Sequence, residues 1–208
     1  MIYIKYALWM IAAYLIGNIS PSTIIGKLRG VDIKKEGSGN AGTTNAARIL
    51  GPTAGVITLL VDALKGWLTV FAVLNLVGRP CAELCMGCVM LGHIYPVFLH
   101  FKGGKGVATA FGASLALNIP SALLALVVAL VGALTSRRMS VGSLGVVVTY
   151  PIFAYLFYPK PDISRYMPFA IAYCLLILFT HRENLKRLIK GEEQAMSFGK
   201  DKKRSFKA

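Results

Sequence analysis

Apolar residues come in long runs along this chain, separated by short polar stretches rich in glycine and basic side chains. Five runs are long enough, or nearly so, to cross a hydrocarbon core, which needs about 20 helical residues. They are Tyr3–Ile25, Thr53–Val77, Cys81–Phe101, Val141–Tyr158 and Tyr166–His181. A less regular region, Lys105–Thr135, lies between the third and fourth. It divides at Asn118-Ile119-Pro120, because proline ends the helix before it, and it predicts two shorter helices. The first of these, Lys105–Leu117, reaches only about 20 Å. No repeat, heptad or low-complexity tract appears. The pattern predicts an all-α integral membrane protein, with residues 1–193 as one multi-pass domain and 194–208 as a basic tail.

Composition agrees. Of 208 residues 55% are hydrophobic and 15% charged, against about 25% charged in soluble domains. The net charge of +14 would suggest nucleic acid in a soluble protein. Here the cations gather between the apolar runs and in the tail, so topology explains them and no nucleic-acid partner is expected. Lys27, Arg29, Lys34, Lys35, Arg48, Lys102, Lys105, Arg137, Arg138 and the residues after His181 fall on one side, and only Lys5, Arg79, Lys160 and Arg165 on the other. The basic side is cytoplasmic by the positive-inside rule, which puts the N-terminus outside and the C-terminus inside. Lys105 and Arg137 then share a side, so an even number of crossings separates them. Two crossings give seven spans and a re-entrant pair gives five; the small face of Gly106, Ala110 and Ala113, suited to helix contact, favours seven. The first run lacks a small-x-small cleavage site and is expected to be an uncleaved span.

Two of the polar stretches could carry chemistry. Gly37-Ser38-Gly39-Asn40-Ala41-Gly42 matches G-x-G-x-x-G, but no βαβ unit surrounds it, so a nucleotide fold is excluded. Glycines still let backbone amides approach an anion, and a short helix over Asn45–Leu50, capped by Thr43, Thr44 or Asn45, would point its N-terminus at that anion. Arg48 adds a planar fork suited to phosphate. The second stretch, Lys102-Gly103-Gly104-Lys105-Gly106, leads directly into a helix. Lys105 in a first helical turn opposes the macrodipole by about 0.3–1 kcal/mol, an arrangement that a bound anion would reverse. No Walker sequence is present. Two basic glycine loops suggest two phosphate groups.

Other polar residues are less specific. Asp62 and Lys65, three apart in the second run, form either a self-neutralising pair or a cavity-facing group. His93 and His100, seven apart, share a face as interface histidines. Cys81, Cys85 and Cys88 share a helical face as soft packing residues, and neither a disulfide nor a metal site is expected. Ser143 follows the Arg137-Arg138 pair. His181 and Asn184, three apart, share a face of one helix.

The stretches KKEGSGNAGTTNAARILG, GHIYPVFLHFKGGKGVAT and HRENLKRLIKGEE together resemble the bacterial acyl-phosphate:glycerol-3-phosphate acyltransferase family, in matching order through about Glu193. The resemblance implies a seven-span protein of the bacterial cytoplasmic membrane with its motifs facing the cytoplasm. It implies transfer of a fatty acyl group from acyl-phosphate to the 1-hydroxyl of sn-glycerol 3-phosphate, giving lysophosphatidic acid and phosphate. Within it Ser38 and Arg48 match the first motif's polar positions, and Gly37, Gly39, Asn40 and Gly42 belong to its phosphate cradle. Gly103, Gly104, Lys105 and Gly106 match a phosphate-binding loop. Ser143, His181 and Asn184 match further polar positions, and Glu193 a structural one.

Acyl-phosphate is an activated anhydride, so no covalent intermediate, metal or cofactor is required. Lys105 would stabilise developing charge, Arg48 would position a phosphate, and joint binding would supply proximity. The proton goes either to His181 or, as expected here, to a substrate phosphate. His-x-x-x-x-Asp, the signature of another acyltransferase class, is absent. A membrane transporter of an anion or phosphate ester is the alternative, with Asp62 and Lys65 as its markers.

Overall fold

The computed structural model describes residues 2–196 and is helical throughout, with no strand among the described residues. In chain order the helices are α1 (Ile2–Gly17), α2 (Pro21–Leu28), α3 (Thr43–Leu50), α4 (Pro52–Leu76), α5 (Arg79–Ile94), α6 (Val107–Leu117), α7 (Ile119–Ser136), α8 (Met139–Phe157), α9 (Lys160–Thr180) and α10 (Arg182–Ile189). A single 3₁₀ turn, Val97–Leu99, follows α5. Six segments are long and apolar enough to cross a membrane: α1 with α2, α4, α5 with its 3₁₀ turn, α7, α8 and α9. The basic tail expected from residue 194 is described only to Met196; the rest of it lies outside the described residues.

The element boundaries depart from the hydropathy runs where backbone chemistry intervenes. Tyr3–Ile25 is two helices, because Pro21 opens α2 and its missing N–H is tolerated only in a first turn. The third run ends as an α-helix at Ile94, and His100 sits in the left-handed region at φ 55°; His93 and His100 therefore do not share a helical face. Asn118 caps α7 by accepting from the Ser121 amide at 2.9 Å, which makes the predicted break. Beyond it α7 runs 18 residues and is not short. The sixth helix does stay short, starting at Val107 rather than Lys105, and its 11 residues span about 16 Å. The last long helix begins at Lys160, ahead of the apolar run, since Pro161 fits its first turn.

At the centre stands α5, whose Cys81, Cys85, Met86, Val89 and Met90 are buried against α1, α4, α6 and α9. Soft side chains suit a position with four neighbours. Helices α4 and α6 meet almost backbone to backbone: a Cβ on Gly66 would strike the Thr109 carbonyl, and one on Gly112 the Ala63 carbonyl. This contact lets the short α6 seat deeply between longer helices. Outward faces carry exposed Leu60, Leu64 and Leu68 on α4, Val127 and Val131 on α7, and Val148 and Ile152 on α8, a surface that only lipid would cover well.

The end of the bundle away from the glycine loops is tied by ions. Glu83 of α5 is fully buried and takes a paired hydrogen bond from Arg165, at 2.8 and 3.0 Å, and another from the Tyr158 hydroxyl at 2.8 Å. A carboxylate inside a spanning helix persists only when paired in this way. Sequence reading passed over Glu83, although a single acid within an apolar run was the signal.

Candidate active site

A cavity of about 670 Å³ opens at the end of the bundle that carries the glycine loops. Its polar part is lined by Gly37, Ser38, Asn40, Gly42, Arg48, Lys105, Gly106, Ser143, His181, Asn184 and Glu193. An apolar arm continues between α6, α7, α8 and α9 past Phe111, Ala125, Ala129, Val146 and Ile177. Residues 146 positions apart in sequence, Ser38 and Asn184, thus share one chamber. Gly39, Gly103 and Gly104, expected in the phosphate cradle, do not line it. Each has already committed its amide: Gly39 to the Glu36 carbonyl at 3.0 Å, Gly103 to Ile94 at 3.1 Å and Gly104 to His93 at 3.1 Å. An amide that donates to a carbonyl is not available to a phosphate, so these three shape their loops instead.

The first loop is organised by Asn45. Its carboxamide accepts from the Ser38 amide at 3.0 Å and donates to the carbonyls of Ile33 and Glu36 at 3.1 and 3.0 Å. Buried side chains with three satisfied bonds fix a loop far better than glycine alone. The helix after it begins at Thr43 with Gly42 as N-cap, and neither Thr43, Thr44 nor Asn45 supplies a side-chain cap. The start of α3 thus has no side-chain cap, and Gly42, Thr43 and Thr44 put this helix N-terminus at the chamber wall. Asn45 was missed as a loop anchor; its place one turn from Ala41 and Ile49, on the buried face, was the available clue. Arg48, one turn into α3, is half-buried, lines the same wall and has no hydrogen bond or ion pair to its guanidinium among the described residues.

The second loop ends at Gly106, the N-cap of α6. Lys105 therefore precedes the helix rather than sitting in its first turn, and Val107 and Ala108 bring the unpaired amides of that turn to the chamber. The Lys105 ammonium donates to the side-chain oxygen of Asn184, and Thr180 holds the Lys105 carbonyl at 3.1 Å. Burial, assisted by Arg187 and Arg48 and opposed by Glu193, lowers the Lys105 pKa to about 8.

The wall opposite is built by the end of the chain. His181 lies between α9 and α10, so His181 and Asn184 do not belong to one helix, yet both are buried toward the chamber. His181 Nδ1 is 2.9 Å from the Ile177 carbonyl, which can only accept. The ring hydrogen must then sit on Nδ1, leaving Nε2 as an acceptor. Burial and then Lys105 push the His181 pKa down to about 4, so the ring is neutral at physiological pH. Glu193 receives Asn184 at 2.6 Å, Ser140 at 2.7 Å and Arg187 at 2.8 Å. Burial raises its pKa, but these hydrogen bonds outweigh it and hold the carboxyl below its usual value. Ser143 lines the chamber with its hydroxyl donating to the Met139 carbonyl at 3.1 Å. The convergence of Ser140 and Arg187 on Glu193, which lies 53 residues beyond Ser140, could not be seen in the sequence.

Deeper in the bundle, Asp62 and Lys65 of α4 form an ion pair at 2.7 Å. His93 joins them, with Nδ1 3.2 Å from Asp62 and 2.9 Å from the lysine nitrogen.

Two helix N-termini and two cations thus face one chamber beside an apolar arm, an arrangement suited to two anionic groups and one aliphatic chain. A family model described as glycerol-3-phosphate acyltransferase matches residues 7–191. Among curated proteins, the glycerol-3-phosphate acyltransferase of Endomicrobium trichonymphae is 38% identical over 94% of this chain and 98% of its own. That of Clostridioides difficile is 39% identical over 95% and 98%. Among solved structures, the integral membrane glycerol 3-phosphate acyltransferase PlsY, in its glycerol 3-phosphate form, is 36% identical with a TM-score of 0.86 over 93% of this chain and 96% of that one. Its lysophosphatidic acid form superposes with a TM-score of 0.84 over the same shares.

Proposed function

The chain belongs to the glycerol-3-phosphate acyltransferase family, and we propose that its acyl donor is acyl-phosphate and its products are lysophosphatidic acid and inorganic phosphate. The observation that carries this is the chamber itself: two cation-flanked helix N-termini at one end of an apolar arm. Both substrates bring a phosphate, and one brings a hydrocarbon chain.

The acyl chain lies in the arm between α6 and α9, which puts its carbonyl and anhydride phosphate beside Lys105 and the first turn of α6. Arg48 and the first turn of α3 hold the phosphate of glycerol 3-phosphate. Its 1-hydroxyl then attacks the acyl carbon, and negative charge grows on the carbonyl oxygen, where the Lys105 ammonium and backbone amides stabilise it. Collapse breaks the bond from acyl carbon to anhydride oxygen and expels phosphate. The hydroxyl proton passes to a substrate phosphate, whose second pKa is about 6. His181, with a pKa of about 4, is a poor resting place for that proton; its Nε2 orients the hydroxyl by accepting a hydrogen bond. Ser38 and Ser143 contribute hydroxyls to the wall, and Glu193 holds Asn184, which holds Lys105. The anhydride is already activated, so the chemistry calls for no metal or cofactor.

The same reading puts the protein in a bacterial cytoplasmic membrane with the chamber facing the cytoplasm, the N-terminus outside, and α6 as a seventh crossing. Its support is the shared position of the basic loops at one end and the passage of α6 from Lys105 to Asn118, whose amide bonds Phe157 at the other. Membership in an acyltransferase family replaces the transporter alternative, and Lys65, bonded to Asp62, no longer marks a transport path.

Purified protein in detergent or nanodiscs, given acyl-phosphate and glycerol 3-phosphate, should release phosphate and form lysophosphatidic acid in equal amounts. Turnover with acyl-CoA or acylated carrier protein, and none with acyl-phosphate, would overturn the choice of donor.

A further inference from the structure

The mechanism above makes no use of the buried cluster at the base of the chamber. Asp62, Lys65 and His93 are 1%, 5% and 6% exposed, which is costly for charged groups inside a membrane bundle unless they do something there. The Lys65 ammonium has three hydrogens and four neighbours: Asp62 at 2.7 Å, His93 Nδ1 at 2.9 Å, and the carbonyls of Gly17 and Ile19 at 3.1 and 2.6 Å. Neutralising Asp62 would need only one of these contacts. The other three reach into two different elements.

One arm leads to the first loop. Gly17 and Ile19 are the end of α1 and the break before α2, so Lys65 fixes the point from which α2 departs. In turn α2 braces the first loop through Ser22, whose hydroxyl donates to the Ala41 carbonyl at 2.8 Å. The other arm leads to the second loop. His93 accepts the Gly104 amide on its carbonyl, and its ring lies directly beneath Gly104, where an added Cβ would fall on Nε2. The two loops also touch at their rims, where Lys34 donates to the Leu99 carbonyl at 3.0 Å.

We propose that Asp62, Lys65 and His93 are positioning residues that set the spacing between the two phosphate-facing loops, and through it the alignment of the two substrates. Asp62 holds the charge of Lys65 in place, Lys65 ties down the root of the first loop, and His93 supports the floor of the second. None of the three needs to touch a reacting atom. A change in loop spacing of even about 1 Å can cost a hundredfold in rate while leaving each substrate's own contacts intact.

This inference rests on the acyl-transfer reading for its kinetic half but not for its geometric half, and the test separates them. Nitroxide labels at Lys35→Cys and His100→Cys, both exposed, report the distance between the loops. A narrow distribution is expected in the parent and a shifted or broadened one in Asp62→Asn and in His93→Gln. Turnover per folded molecule should fall at least tenfold in both, with the affinity for glycerol 3-phosphate alone, by calorimetry, held within threefold. Should Asp62→Asn fail to fold, the milder His93→Gln, which keeps the backbone carbonyl, decides. An unchanged distance distribution in a folded variant overturns the proposal whatever the donor proves to be. So does a loss of activity that follows only the loss of folded protein. A parent that fails to use acyl-phosphate contradicts the donor assignment and leaves the distance measurement to decide the role of the cluster.

Discussion

Lys105 and Glu193 carry opposite charges on one chamber wall, and the carboxamide of Asn184 bridges them. Its oxygen accepts from the ammonium and its nitrogen donates to the carboxylate at 2.6 Å. The lysine is thereby held in place while its charge stays available to a substrate, which a direct ion pair would not allow. Asn184→Ala removes both bonds. Hydrogen bonds to charged groups contribute about 1.5–3 kcal/mol, so a fall of about ten- to a hundredfold in kcat is expected, checked by initial rates on protein of verified fold.

Lys105 is expected to give the pH dependence an alkaline limb. Its pKa lies at about 8, and in the proposed mechanism the protonated form is the one that stabilises developing charge. The active fraction is therefore complete well below pH 8 and declines as pH rises through it. Because kcat/KM reports the free enzyme, that parameter should fall above about pH 8. Lys105→Arg, which cannot lose its charge in this range, should be slower throughout and lack the limb. A limb that survives in Lys105→Arg assigns it to another group.

Arg48 lines the chamber, and its guanidinium has no hydrogen bond or ion pair among the described residues. A lysine in its place keeps the charge but loses the two parallel donors. Arg48→Lys is expected to lower kcat/KM for glycerol 3-phosphate by about tenfold or more, with the effect showing in KM for that substrate before KM for the donor. Kinetics varied in each substrate separately would register the difference.

The apolar arm is closed in by one residue from each of five helices, Met86, Ser114, Ala122, Tyr150 and Tyr173. Tyr150 is pinned there by a 2.9 Å hydrogen bond to Tyr166, which rests on the sulfur of Met86. Tyr150→Ala should extend the arm and favour longer acyl-phosphates by about fourfold for each methylene newly accommodated. Tyr150→Phe, which keeps the ring, should leave the chain-length profile where it was.

Topology can be tested with single cysteines at two exposed sites, Lys35 and Pro161. An impermeant maleimide should label Lys35→Cys only from the cytoplasmic side and Pro161→Cys only from the other. Labelling of both from one side would remove the odd number of crossings between them.

How much of this could be read from the sequence depended on what holds each part in place. Spans follow from lipid contact, which hydropathy measures directly, and the break at Pro120 follows from a missing donor, which is a local property. The division of α1 from α2 was hidden because Asn18-Ile19-Ser20 interrupts an apolar run without making it polar. Residues of the chamber were legible as types: Arg48, Lys105, His181 and Asn184 all face it. The destination of backbone amides was not legible. Gly104 and Gly42 look alike in sequence, yet the first gives its amide to the His93 carbonyl while the second opens the helix whose first-turn amides face the chamber. Asp62 and Lys65 could be paired by spacing alone, but the carbonyls of Gly17 and Ile19 lie 46 or more residues away and belong to tertiary structure.

The chamber's outer rim is formed by residues 193–196, with the Met196 amide bonded to the Arg137 carbonyl at 2.8 Å. Every candidate membrane helix among the described residues precedes this strap in the chain, and synthesis runs from the N-terminus. During translation the bundle can insert and fold around α5 while the chamber still lacks one side, with Asn184 and Lys105 not yet steadied by Glu193. If the strap is needed for turnover, assembly of the bundle and onset of catalysis are separate events in time, and a chain ended before Glu193 is expected to insert without turning over substrate.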